Sequence, residues 1–276
     1  FMGLIRKFQR IIFKRKMRGT NLQVSRNIFH QILLYLINRK NTRLLKRNRD
    51  IKNSSDGGRC FIFFTGTSIA DFDFDLIKGE PVIACGMAVV HKDFKKCNVV
   101  GYFDPGPWEP RALSYFDFIF AGVYRSTLKG CKIFLHTTAY PYRNEILSYR
   151  KQDTYYFTSD GNYLSSEDIK SELHELNNIQ EGSLSASLGI ASYMGFQEIY
   201  LLGADYMTDP VIYGHFWDGY NETANTSDYE SYRERGSWMI EHVEKKGCKV
   251  INVLKDKTNS SSIESITFQD LPDILK

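Results

Sequence analysis

The sequence predicts an open α/β fold, a mostly parallel sheet with helices on both faces, behind a basic helical arm. Three observations predict it. Apolar runs of strand length recur along the chain, and they are continuous rather than alternating, as strands buried on both faces read. Helical stretches separate several of them, the pattern of a parallel sheet with crossover connections. Two runs, Cys60-Phe-Ile-Phe-Phe-Thr-Gly66-Thr-Ser68 and Gly195-Phe-Gln-Glu-Ile-Tyr-Leu-Leu-Gly-Ala-Asp205-Tyr206, stop abruptly at small or acidic residues. Ligands of open α/β sheets bind at such carboxyl ends.

Taken in order, the expected strands are Cys60–Thr65, Pro81–Cys85, Asn98–Asp104, Phe116–Ala121, Lys132–Thr137, Glu198–Gly203 and Cys248–Leu254. Helices are expected over Ser185–Met194 and Tyr229–Lys246, with a short terminal helix over Ile263–Lys276. At 276 residues, 42% of them hydrophobic, the chain suffices for one sizeable core and an appendage. The five cysteines, Cys60, Cys85, Cys97, Cys131 and Cys248, show no C-x-x-C spacing and fall in or beside expected strands. They read as buried reduced thiols of a cytosolic protein rather than as a zinc site.

Charge divides the chain. Of 36 Lys and Arg, 14 lie in residues 1–50 beside one acid, Asp50, which leaves 22 basic against 31 acidic residues beyond. In residues 1–50, Leu4, Ile5, Phe8, Ile11, Ile12 and Phe13 recur at helical spacing with Arg6, Lys7, Arg10, Lys14 and Arg15 largely between them. A second apolar piece runs from Ile28 to Ile37. Neither reaches the roughly 18–20 apolar residues that span a bilayer, and no small-residue cleavage site follows. A basic amphipathic helix suits an anionic membrane surface; packing on the body or on another copy is the alternative. Nucleic acid is not an expected partner, because the body shows no nucleic-acid module. The polar, glycine-bearing stretch over residues 51–59 reads as a linker, and the catalytic body is expected over 60–276.

The candidate chemistry lies at the strand ends. Gly66, Thr67 and Ser68 close the first strand, and glycine with hydroxyls at a helix start suits phosphate as well as an ordinary cap. This is neither G-x-G-x-x-G nor a P-loop, which lacks its lysine here. Asp71, Asp73 and Asp75 form a D-x-D pattern, read as a helix start with favourable acids rather than a metal site. Asp104 and Asp205 end strands, where an acid orients a sugar hydroxyl or caps the next turn. Ser183 and Ser185 precede a helix and read as an N-cap or as phosphate contacts. The loop from Tyr206 to about Ser227 is long and aromatic, the habit of active-site lids. It holds Tyr213, His215 and Trp217, and histidine is the side chain suited to taking a proton near neutral pH.

The order is a strand ending in Gly-x-Ser, a strand ending in Cys85, then Gly-(aromatic)-x-Glu-Ile-Tyr-Leu-x-Gly-x-Asp-(aromatic), a loop histidine and a late strand. It resembles the bacterial sialyltransferases of glycosyltransferase family 42 and the related pterin diphosphokinase-like domains, over roughly Cys60 to Leu254. The resemblance implies a Rossmann-like sheet of variant GT-A type and sugar transfer from a CMP donor without a metal or other cofactor. It also implies a histidine base and two tyrosines steadying the leaving phosphate. By position the base falls on His215 and one tyrosine on Tyr213. The other falls on Met207, with Tyr206 as its substitute. Gly66, Thr67, Ser68, Cys85, Gly86, Gln180 and Ser183 fall on the nucleotide side, and Asp104, Asp205 and Trp217 on the sugar and acceptor side. Gly86, Thr67 and Gln180 depart from the asparagine, proline and arginine of the pattern. The expected function is therefore glycosyl transfer, of a sialic-acid-like sugar or another nonulosonate, to a saccharide or glycolipid acceptor in bacterial surface polysaccharide synthesis. The enzyme would work in the cytoplasm, peripheral on the inner face of the membrane. Alternatives from other classes are a Mg-dependent diphosphokinase using Asp71, Asp73, Asp104 or Asp205, and a non-catalytic binder of nucleotide sugars or polyanions. Whether copies associate into a homo-oligomer is left open by the sequence.

Overall fold

The structure, a computed structural model, describes residues 39–104, 128–142, 154–158, 165–179, 182–217, 226–257, 260–261 and 263–276. Its centre is a sheet of eight strands, all parallel: β1 (Arg59–Phe63), β2 (Pro81–Cys85), β3 (Asn98–Asp104), β4 (Lys132–His136), β5 (Thr154–Phe157), β6 (Glu198–Leu202), β8 (Lys249–Leu254) and β10 (Ser265–Thr267). Two short strands, β7 (Thr208–Asp209) and β9 (Ser260–Ser261), form a separate antiparallel pair. The spatial order is β10-β8-β6-β1-β2-β3-β4-β5. The chain therefore steps outward from β1 to β5, then returns to the other side of β1 and steps outward again.

That reversal dictates which face each connection covers, because parallel crossovers are right-handed. Connections made while stepping one way lie on one face, and those made the other way lie on the opposite face. The segments after β1 and β2 bury Ile69, Phe72, Phe74, Ala88, Val89 and Phe94 against Phe63, Val82, Ala84 and Tyr102 on one face. On the other face, α1 (Ser183–Met194) and α2 (Thr226–Lys245) cover Ile62, Ile83, Phe103, Ile199 and Leu201. Helix α1 is buried almost all round, and its small residues permit that. A Cβ at Gly189 would lie 2.7 Å from Ile179 Cδ1 and 3.2 Å from Met239 Cε.

Six expected strands are present, two of them, β2 and β3, with the expected bounds and the other four with ends within about two residues. The expected strand Phe116–Ala121 lies outside the described residues, as does the arm over 1–38. Three features differ from the sequence reading. First, the connections β1–β2 and β2–β3 contain 3-10 turns over Thr67–Asp71, Phe74–Ile77, Gly86–Val90 and Phe94–Lys96 instead of α-helices. Phe72 and Phe74 are pulled into the core by alternation, which short turns provide and a helix does not. Second, Ile263–Lys276 is not one helix. It contains β10, then the single turn α3 (Leu271–Ile274), with Asp270 accepting from the Thr267 amide and hydroxyl between them. Third, residues 40–51 belong to the body, whose compact unit begins at Lys40.

The third difference has a clear cause. Among the described residues strand β5 is a sheet edge, and an uncovered edge leaves carbonyls without partners. Arg47 donates to the Thr154 carbonyl at 3.2 Å, and the Asn48 amide donates at 2.6 Å to both the Tyr156 and Leu173 carbonyls. Leu45 then joins the core on one face of the sheet and Ile51 the core on the other. The last residues of the segment that charge marks as arm, Arg47 and Asn48 among them, thus seal the sheet edge, and the compact unit begins at Lys40 rather than after residue 50.

Candidate active site

Strands β1 and β6 are neighbours that lead their connections to opposite faces, and the crevice expected beyond the carboxyl ends at such a switch point is where open α/β sheets bind ligands. The two ends stay joined past the ladder: Phe64 N–H donates to Leu202 O at 2.8 Å and Gly66 N–H to Gly203 O at 3.0 Å. Glycine is required at 66 by this approach. A Cβ there would lie 2.5 Å from the Asp205 carboxyl carbon and from Gly203 O.

Asp205 fills the junction. Its carboxylate accepts from the Ser68 amide at 2.8 Å, from the Ser68 hydroxyl and from the Thr67 hydroxyl at 3.2 Å. Burial pushes its carboxyl above the ordinary range, and the Ser68 and Thr67 donors pull against that shift. Gly66, Thr67, Ser68 and Asp205 are therefore brought together, but with the Ser68 amide and hydroxyl spent on a carboxylate. The 65–68 loop is held rigidly by this network rather than by a cap of its own.

His215 reaches the same place from the following loop. The Phe216 amide donates to Thr65 O at 3.0 Å, which fixes the loop to the end of β1. His215 Nδ1 lies 2.9 Å from Thr65 Oγ1, and the imidazole stacks on Trp217 at 4.6 Å and 17°. His215 is exposed, and Trp217 is 41% exposed, so both face solvent at the crevice. Phe216 turns inward instead and meets His91 edge-on at 5.0 Å. Tyr213 is half-buried two residues before His215, and Tyr206 is half-buried against the core on the α1 face.

The sequence reading gave His91 no role. It is buried beneath the loop, with Nε2 3.0 Å from Ile69 O and Nδ1 accepting from Asp93 N–H. Burial holds its pKa low, so a neutral ring supports Phe216 and, through it, His215. His136 is a second histidine at a strand end that the sequence reading passed over. It closes β4, and burial lowers its pKa to about 4. Its Nδ1 lies 2.7 Å from Thr138 Oγ1 and accepts from the Thr138 amide. The one sequence signal for either was position: His136 ends an apolar run.

A second group gathers at the ends of β2 and β3. Cys85 is buried, beside Ser183 and Asp104. Burial and the Asp104 charge raise its thiol pKa, so it stays protonated. Asp104 is itself buried at the end of β3, and Gly86 is buried with φ 48°. Ser183 is the first residue of α1 rather than its cap. Gly182 holds the N-cap position at φ 144°, a conformation that favours glycine, and it supplies no side-chain acceptor. The first amides of α1 therefore lack the side-chain cap expected of Ser183 or Ser185. Gln180 lies outside the described residues.

The D-x-D acids are spread along the surface. Asp73 caps the Phe74–Ile77 turn by accepting from Asp75 N–H at 3.0 Å, Asp75 pairs with Lys96 at 2.7 Å, and Asp71 pairs with Lys255 at 3.4 Å. Among the described residues no group of three or more His, Cys, Asp and Glu is placed to hold a metal ion. All five cysteines are free thiols. Among the described residues no helix is long and apolar enough to cross a membrane.

No protein-family model matches this chain, and no curated protein matches it.

Proposed function

We propose that the chain is a glycosyltransferase that moves a sugar from a nucleotide donor, with a CMP-linked nonulosonate as the first candidate, to a saccharide or glycolipid hydroxyl. The observation that carries the reading is the exposed His215, anchored to Thr65 at the switch point between β1 and β6 and backed by Trp217. A base must keep a lone pair for the substrate. With Nδ1–H donating to Thr65 Oγ1, the His215 Nε2 lone pair is left to take the acceptor proton as the hydroxyl attacks. Trp217 offers a flat apolar surface on which a sugar ring can stack. The uncapped amides of α1 suit the donor phosphate, and Tyr213, with Tyr206, would hydrogen-bond the phosphate as it leaves. Residues 1–39, with their basic apolar spacing, would hold the enzyme at the anionic inner face of the membrane, near lipid-linked acceptors.

The phosphoryl-transfer alternative would need Mg²⁺ among Asp71, Asp73, Asp104 and Asp205. The disposition of these acids favours it less, because Asp205 is enclosed by Thr67 and Ser68 and Asp71 pairs with Lys255.

The test is a thermal-shift screen against CMP, UDP, GDP, ADP and ATP and the matching nucleotide sugars, each with Mg²⁺ or with EDTA. A ligand at about 100 times its Kd stabilises the fold by about 2.7 kcal/mol. Stabilisation by CMP in EDTA supports the reading. Stabilisation only by ATP with Mg²⁺ replaces it with phosphoryl transfer. For the membrane claim, liposome co-sedimentation with and without residues 1–39 decides, and equal binding by both refutes it.

A further inference from the structure

The amino edge of the sheet, opposite the crevice, carries an arrangement that glycosyl transfer does not use. A cavity of about 260 Å³ lies there between the starts of β6 and β8 and the end of α1, with Ser171, Glu172, Tyr193, Gln197, Lys52 and Lys246 in its lining. Ser171 is 5% exposed, so its hydroxyl reaches the cavity but little bulk water. Its Oγ lies 2.9 Å from His242 Nε2 and 2.7 Å from Lys246 Nζ. On the far side of the ring, His242 Nδ1 lies 3.1 Å from the Ser166 carbonyl oxygen.

These contacts fix the proton inventory. A carbonyl oxygen only accepts, so Nδ1 carries the hydrogen. The neutral ring then presents a lone pair at Nε2, and the Ser171 O–H donates into it. Burial, with Lys246 beside it, lowers the His242 pKa and keeps the ring neutral at pH 7. The ammonium of Lys246 donates to the same Ser171 oxygen and favours negative charge there. Nucleophile, base and a third group orienting the base stand in hydrogen-bond sequence, as hydroxyl activation requires. The Lys246 ammonium lies beside the reacting oxygen.

We propose that Ser171 is a nucleophile activated by His242, and that this cavity is a second site, one that takes small uncharged acyl esters. Ser171 Oγ adds to the ester carbonyl carbon while its proton passes to His242 Nε2, and the charge that develops on the carbonyl oxygen is met by Lys246 Nζ. Collapse reforms the C=O and breaks the ester C–O bond, and the alcohol leaves with the proton from His242. Water, deprotonated by His242, then releases the acid and restores Ser171. Lys52 and Glu172 pair at 2.8 Å in the lining and offset each other, and Lys246 is engaged at the reacting oxygen, so neither pair nor cation is left to hold a charged acyl group, hence the uncharged class.

The purified full chain is treated with a fluorophosphonate probe, and the adduct is mapped by mass spectrometry. The expected result is one adduct on Ser171. His242→Gln is expected to lower the labelling rate by about 10²-fold, the usual scale of a general base, with little change in Tm, and Ser171→Ala to abolish it. Lys246→Met is expected to slow labelling while leaving the Ser171–His242 pair in place. Labelling elsewhere or none in the unmodified chain overturns the proposal without any variant. Labelling of Ser171 at the same rate in folded His242→Gln overturns it as well. Nucleotide-induced thermal shifts at the opposite edge are expected to be the same in Ser171→Ala, so the two sites fail or stand separately.

Discussion

Replacing Asp205 tests whether the crevice is built as described. Asp205→Ala removes the acceptor of the Ser68 amide, the Ser68 hydroxyl and the Thr67 hydroxyl. A buried donor left without a partner costs about 1–3 kcal/mol, and each lost hydroxyl bond about 1 kcal/mol. The expected loss is about 3–5 kcal/mol, read as a drop of roughly 6–20 °C in Tm for a domain of this size. Asp205→Asn keeps an oxygen acceptor for the Ser68 amide and is expected to cost about 1 kcal/mol at acid pH. The two variants also differ in pH dependence. Burial raises the Asp205 carboxyl above its unfolded value. The stability this group contributes is therefore complete below about pH 3.9 and is lost as pH rises through the folded pKa. Asparagine has no such loss, so Asp205→Asn gains on the unmodified protein as pH rises from about 4. Urea unfolding at a series of pH values measures both effects. A loss under 1 kcal/mol in Asp205→Ala, or an Asn variant that falls behind as pH rises, refutes this account of the junction.

Three further outcomes follow from the same geometry. His215→Ala is expected to lower the proposed glycosyl transfer about 10²–10⁴-fold while changing stability by less than about 0.5 kcal/mol, since the side chain is exposed; full activity in the variant would exclude the imidazole as base. Gly66→Ala forces a Cβ to 2.5 Å from Asp205 and Gly203 and is expected to cost about 1–3 kcal/mol, seen as a lower urea midpoint at unchanged slope. His136 is neutral in the fold with its pKa lowered to about 4, so stability is expected to fall as pH drops from about 6.5 toward 4, by up to about 3 kcal/mol; His136→Gln is expected to flatten that part of the profile, and an unchanged profile would count against it.

Much of the sheet is legible in the sequence because burial on both faces is written locally. Cys60–Phe64, Val82–Cys85 and Ile199–Leu202 are unbroken apolar runs, and the strand ends near Gly66, Cys85 and Asp205 follow from where those runs stop. Strand β5, Thr-Tyr-Tyr-Phe, is short and hydroxyl-bearing, so only its pairing with β4 makes it a strand. The 3-10 turns after β1 and β2 were equally hidden. Their Phe72 and Phe74 choose a turn because the sheet face beneath them needs covering, a demand that arises only once β1 and β2 are paired.

By itself the sequence determined the α/β class, the site of the candidate base in the loop after β6, and the charge contrast between the first 50 residues and the rest. Tertiary structure alone decided that Arg47 and Asn48 seal a sheet edge, that Asp205 closes on Ser68, 137 positions away, and that Ser171 meets His242, 71 positions away. Periodicity records which residues are buried, because burial repeats with the backbone. It does not record which polar group meets which, since a hydrogen bond between distant segments exists only after the hydrophobic layers have set their spacing.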